Sequence, residues 1–194
     1  MKLGFPLLLA WLLSPMTVIA ADDLPFDRTR INRYSLDGVV RSVAIRQGER
    51  IWFGYDLERA TPFKVWRAPG ERGDSGLKRG YTTKSVGTVL FEDKSKHDWK
   101  LRQGDSEHGM KTRYLGCTEG KGYFKFSWEF RHGSRRLKLS ERVPIDGDRI
   151  VRELRVEGLK SGETLQLPTQ AWKTPDGKSV NALSNSKWFR LVLP

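Results

Sequence analysis

Between Tyr123 and His132 the chain alternates with a period of two. Phe124, Phe126, Trp128 and Phe130 share one parity; Tyr123, Lys125, Ser127, Glu129 and Arg131 share the other. Successive side chains of a strand point to opposite faces. The pattern therefore predicts a strand with one apolar face on a core and one mostly wet face, as antiparallel sheets have. Other short runs rich in β-branched and aromatic residues recur at 39–45, 51–57, 61–68, 85–91 and 111–117. Gly, Pro, Asp and Ser punctuate them, with a turn at 47–50 and Pro69-Gly70 closing the third run. The Gly-rich stretch up to Gly80 and the charged stretch 94–109 read as loops. Helical periodicity is almost absent after residue 21, so the expected fold is all-β, an antiparallel β-sandwich of many short strands. A closed barrel is the nearest competitor.

Two further segments carry a register prediction. Leu137, Leu139, Glu141 and Val143 share one parity, and Ile150, Arg152, Leu154 and Val156 share another. Folded as a hairpin about Asp146-Gly147, Val143 faces Ile150, Glu141 faces Arg152, Leu139 faces Leu154 and Leu137 faces Val156. A one-residue slip would turn every apolar side chain outward. The register thus sets a carboxylate opposite a guanidinium on an apolar face. Such a pair persists only if its geometry is good. It reads either as a structural ion pair or as the lining of a concave site that holds a ligand's hydroxyls or carboxylate.

The first residues read as an address. Met1-Lys2, the apolar run 3–13, the break at Ser14-Pro15 and Val18-Ile19-Ala20 form the three-part pattern of a secretory signal peptide. Residues 1–20 are expected to be cleaved, leaving 21–194 as a single domain in the periplasm or outside the cell. A membrane anchor would need roughly 20 unbroken apolar residues, and Gly4, Pro6, Ser14, Pro15 and Thr17 interrupt this run. No stable membrane insertion is expected after cleavage. The lone Cys117 excludes an intrachain disulfide, a Cys-rich zinc site and a C-x-x-C-H haem attachment, and reads as a small strand hydrophobe.

Motifs of catalysis fail on order or spacing. Gly73-Asp74-Ser75-Gly76 matches the peptide around a chymotrypsin-type nucleophile, but His97, His108 and His132 all follow the serine. No H-E-x-x-H, phosphate loop or dinucleotide fingerprint occurs, so no metal, cofactor or catalytic residue is expected. A glycan-active enzyme would need two carboxylates about one bond. Only Glu141 is an inward candidate, and Arg152 beside it is expected to lower its pKa, the wrong direction for a general acid.

Trp99 and Trp172 lie in polar surroundings near turns. They read as indoles able to stack on a sugar ring, or as caps on the ends of a sandwich. With Glu141 and Arg152 they complete the ligand-binding candidates. Lys and Arg number 35 against 23 Asp and Glu, a formal net charge of +12 that attracts polyanions. With an export signal, and without a helix or RNP motif to present the charge, glycans or envelope polymers are favoured over nucleic acid.

A resemblance adds to this. The carrying pieces are Val43-Ala44-Ile45, Trp52-Phe53-Gly54-Tyr55-Asp56, Val65-Trp66 and Arg113-Tyr114-Leu115-Gly116. To these belong Tyr123-Phe124-Lys125-Phe126, Ser140-Glu141-Arg142-Val143 and Arg149-Ile150-Val151-Arg152. With them, residues 37–157 resemble an all-β region of exported planctomycete-type proteins that often accompanies c-type cytochrome or sugar-dehydrogenase-like modules. The resemblance implies an accessory role in a periplasmic haem-dependent or sugar-oxidising complex, with a c-type cytochrome as partner. The residues themselves point first to a non-catalytic module that binds carbohydrate, an anionic polymer or a periplasmic protein.

Overall fold

Phe124, Phe126, Trp128 and Phe130 are all fully buried, while the opposite parity of the same strand stays partly exposed. The structure, a computed structural model, describes residues 31–194 except 71, 72, 96, 146, 148, 170 and 185–187. Residues 1–20, expected to be a signal peptide, lie outside the described residues. No described helix is long and apolar enough to cross a membrane.

The strands are β1 (Ile31–Leu36), β2 (Val39–Gln47), β3 (Ile51–Asp56), β4 (Thr61–Arg67), β5 (Leu77–Lys78), β6 (Lys84–Ser85), β7 (Thr88–Glu92) and β8 (Lys100–Gln103). They continue as β9 (Ser106–Gly109), β10 (Lys111–Gly120), β11 (Tyr123–His132), β12 (Arg135–Pro144), β13 (Val151–Glu157), β14 (Glu163–Gln166), β15 (Ala182–Leu183) and β16 (Phe189–Val192). A five-stranded front sheet runs β1-β2-β3-β4-β7, and a five-stranded back sheet runs β10-β11-β12-β13-β16. Both are antiparallel throughout. The Tyr55 ring of the front sheet lies on Phe126 of the back sheet at 4.5 Å between centroids, so the two inner faces meet in a sandwich-like core. A third sheet, β15-β14-β8-β9, adds Leu101, Leu165 and Leu183 to that core.

The front sheet also buries its other face. Leu36, Ala44, Trp52, Phe63, Trp66 and Ala68 form a second cluster, in which Trp52 and Trp66 stack at 6.1 Å. Trp52, expected in the core, thus belongs to this smaller one. The 3-10 turn Gly73–Gly76 closes over the pair, and Trp66 Nε1 donates to the Gly76 carbonyl at 2.9 Å. A Cβ on Gly76 would sit 2.3 Å from Trp52 Nε1. Gly76→Ala is therefore expected to cost about 1–3 kcal/mol through overpacking, read as a lower denaturation midpoint in urea. Within the Gly-rich stretch read as a loop, the 3-10 turn Gly73–Gly76 thus roofs two indoles.

At the β1–β2 hairpin, Asp37 and Gly38 both adopt positive φ, 50° and 90°, the turn that suits strand twist. The Asp37 carboxylate accepts from Ser85 N at 3.0 Å, from Ser85 Oγ at 2.6 Å and from Lys64 Nζ at 3.0 Å. Burial pushes its pKa up, but these hydrogen bonds and the Lys64 charge outweigh it and hold the group below its ordinary 3.8. The contribution of Asp37 is thus present above that value and lost as the pH falls through the lower folded value. Asp37→Asn should flatten the acid limb of a Tm-against-pH curve below about pH 4.

Three expectations need correction. The stretch 94–109 is not all loop: it forms β8 and β9, whose short polar strands lack a strong alternation. Strands β1, β5, β14, β15 and β16 lie outside the runs singled out from sequence, β5 within the stretch read as loop, and all but β1 are four residues long or shorter. Third, the β12–β13 register differs by two residues: Leu139 faces Val156, and Glu141 faces Leu154 rather than Arg152. The cause lies at Ile145, whose N–H donates to the Gly122 carbonyl and whose carbonyl accepts from Gly48 N. Bonded to neighbouring turns, Ile145 cannot join a tight hairpin, and the connection lengthens through Gly147. The Asp146 and Asp148 of the anticipated turn lie outside the described residues. A slip of two preserves the faces, so every apolar side chain still points inward.

Candidate functional site

The expected pair survives the change of register because Arg152 reaches Glu141 diagonally. Arg152 Nε donates to Glu141 Oε1 at 2.8 Å and Nη2 donates to Oε2 at 2.7 Å. This is the bidentate fork that gives an ion pair its best geometry. The Tyr55 hydroxyl, from the front sheet, donates to the same Oε1 in a short hydrogen bond. The Arg152 guanidinium lies 5.1 Å from the centroid of Trp172, which in turn stacks on Phe53 at 6.5 Å. The structure therefore brings together Glu141, Arg152 and Trp172, and adds Tyr55.

All four side chains are fully or almost fully buried. Burial raises the Glu141 pKa above 4.5; Arg152, by charge and hydrogen bond, and the Tyr55 hydroxyl pull against that rise without cancelling it. This reverses the expected direction, because desolvation of a carboxylate between two sheets exceeds the help its neighbours give. Tyr55 is pushed well above 10.0 by burial and by the Glu141 charge. Acid sensitivity is expected from carboxylates held below their ordinary values, such as Asp37 and Asp93.

Trp99 stands apart from this cluster. It is fully buried, tilted against Phe130 at 5.4 Å, and its Nε1 donates to the Arg59 and Ala60 carbonyls at 3.0 and 3.2 Å. Ala60 has a positive φ of 53°. The indole therefore anchors the strained β3–β4 turn from inside. Neither Trp99 nor Trp172 exposes an indole face, so of the two readings open from sequence the one that needs an exposed ring for a sugar finds none here. Trp128 Nε1 donates to Leu57 O at 3.2 Å on the same turn. Of the histidines, His108 and His132 stack at 4.6 Å, and His97 lends its carbonyl to Arg59. Among the described residues no group of three or more His, Cys, Asp or Glu is placed to hold a metal ion.

The accessible chemistry lies on the outer face of the back sheet. Because Phe124 to Phe130 point inward, the ladder puts Lys111, Arg113, Lys125, Arg131, Arg136, Lys138, Arg142, Arg155 and Arg190 outward. Against them stand Glu129, Glu153 and Glu157 on the same face. Glu129 is shared by Arg131 at 2.5 Å and Arg136 at 3.7 Å, and Glu157 is taken by Arg155 at 2.9 Å. Lys125 and Arg142 are direct cross-strand neighbours, which like charges avoid unless something else compensates. The compensation here comes from Glu153, the cross-strand neighbour of Arg142 on its other side, and from two aromatic rings. The Arg142 guanidinium lies 4.2 Å from the Trp188 centroid and 4.9 Å from that of Tyr123. Stacked guanidinium of this kind keeps its charge and its edge donors for another group. Among the described residues, Lys111, Arg113, Lys125, Lys138, Arg142 and Arg190 form no ion pair.

Sequence reasoning placed Lys125 and Arg131 on a wet face but missed Arg142 and Trp188 as a unit. The signal was present in the parity of residues 136–142, which repeats a cation at Arg136, Lys138 and Arg142. No protein-family model, curated protein or solved structure matches this chain.

Proposed function

We propose that the domain is a non-catalytic binding module of an exported protein, that its two five-stranded sheets form a β-sandwich, and that it takes an acidic polysaccharide on the outer face of the back sheet. One observation carries the reading: a broad sheet face on which Lys and Arg outnumber carboxylates, with the Arg142 guanidinium over the Tyr123 and Trp188 rings at 4.9 and 4.2 Å from their centroids. Nine cations against three carboxylates on one face leave an excess of like charge that costs free energy by repulsion. A polyanion laid across the strands offsets that cost, and a pre-oriented guanidinium loses little freedom when it engages a carboxylate or sulfate. Glu141 supports a binding rather than a hydrolytic role, because both its oxygens are occupied and water does not reach it.

Retention on immobilised polygalacturonate, with dextran as the uncharged control, tests this. The wild-type chain is expected to bind the acidic polymer at low salt and to elute early from dextran. Arg142→Ala is expected to weaken retention about tenfold, the scale of one charge-assisted contact, with an unchanged Tm. Equal retention on both polymers, or tighter binding to single-stranded DNA of matched charge, would overturn the assignment to polysaccharide.

A further inference from the structure

One cleft joins the two sheets at the end where Arg113 leaves the basic face. It encloses about 730 Å³ and is lined by Val40, Arg41, Leu57, Glu58, Arg113 and Tyr114, among others. That volume lies in the range of small-ligand sites. We infer that this cleft is a subsite for a single carboxylated sugar unit, the chain end of the polymer that the adjoining face binds. The inference rests on the polysaccharide reading and names where the specificity of that binding resides.

Three features support it. The first is an exposed donor–acceptor pair: Arg41 Nη1 meets Glu58 Oε1 at 3.3 Å, with the two side chains 73% and 67% exposed. A fork of N–H groups beside a carboxylate oxygen matches the paired hydroxyls of a pyranose, since each hydroxyl both donates and accepts. The second is an apolar wall. Val40 is 78% exposed at the cleft, with Leu57 and the Tyr114 ring beside it. The apolar C–H face of a sugar fits such a wall, as amphipathic ligands fit aromatic and aliphatic surfaces. The third is Arg113, which carries no ion pair among the described residues and is available to a sugar carboxylate.

The cleft is preorganised. Leu57 N donates to the Arg41 carbonyl at 2.9 Å, and Leu57 O accepts from Trp128 Nε1. Glu58 N donates to Asp56 Oδ1 at 3.0 Å. Glu58 is thus presented from a turn fixed to both sheets. Ser42, also at the cleft, spends its hydroxyl on Val39 O and Leu36 N and serves the wall.

Isothermal titration with a galacturonate trisaccharide, run beside polygalacturonate retention, tests the subsite. Arg41→Ala and Glu58→Gln are expected to weaken the trisaccharide about tenfold each while polymer retention falls by no more than about threefold. Lys125→Ala with Arg142→Ala should show the reverse, losing the polymer and keeping the trisaccharide within about twofold. Trisaccharide affinity untouched by Arg41→Ala, absent trisaccharide binding with the polymer still retained, or tighter binding of a nucleoside monophosphate would each overturn the subsite and leave the face standing. Loss of both ligands in the wild-type chain would overturn the two together.

Discussion

Glu141→Ala is expected to lower the free energy of unfolding by about 3–5 kcal/mol, the cost of stranding one member of a buried ion pair. Arg152 would then be left buried with its charge and donors unanswered, and Tyr55 would lose the acceptor for its hydroxyl. In a domain of this size the midpoint should fall by roughly 2–4 °C per kcal/mol, so a loss on the order of 10 °C is read by thermal or urea denaturation. The triple variant Glu141→Leu, Arg152→Met and Tyr55→Phe should recover most of that loss, because apolar side chains of similar volume remove both desolvation costs and leave no stranded hydroxyl. A single variant within about 1 kcal/mol of wild type, the scale of an exposed ion pair, would mean that this interior is wet. The same experiment decides between the two roles the pair was open to from sequence. A structural pair shows a large stability effect and leaves polymer binding unchanged.

The second large effect falls on the opposite side of the back sheet. Lys125→Glu with Arg142→Glu should weaken polygalacturonate binding by roughly a hundredfold at low salt, because like charges juxtaposed across an interface cost several kcal/mol. Both side chains point away from the core, so folding should persist. Lys84→Glu with Lys94→Glu is the matched control. It changes the net charge equally at exposed positions outside the back sheet, and should alter binding by about twofold or less, as screened, distant charges do. Equal effects from the two pairs would show that net charge alone, and no particular face, governs the interaction.

The all-β architecture was legible wherever strands are long and alternate cleanly. Strand β11 matches its expected bounds, Tyr123–His132, since four inward aromatics leave the chain no other way to bury them. The neighbouring parities were read correctly as well. What escaped was non-local. The β12–β13 register turned on a hydrogen bond from Gly48, a residue nearly a hundred positions away, to the Ile145 carbonyl. Tyr55 could not be assigned to Glu141 from sequence because its strand belongs to the other sheet. Polar neighbours could not decide between the two readings of Trp99 and Trp172: local polarity says little when an indole turns inward and its N–H finds a backbone carbonyl, as Trp99 does. Short strands such as β15 gain their pairing from the sheet they join, so two residues carry no recognisable pattern.

Lysine acetylation with and without polygalacturonate, read residue by residue in a mass spectrometer, maps where the polymer lies. The polymer is expected to shield Lys111, Lys125 and Lys138 on the outer face of the back sheet and to leave Lys84 and Lys94 as reactive as before. Shielding of Lys84 and Lys94 with the back-sheet lysines unprotected, or uniform reactivity at saturating polymer, would contradict it.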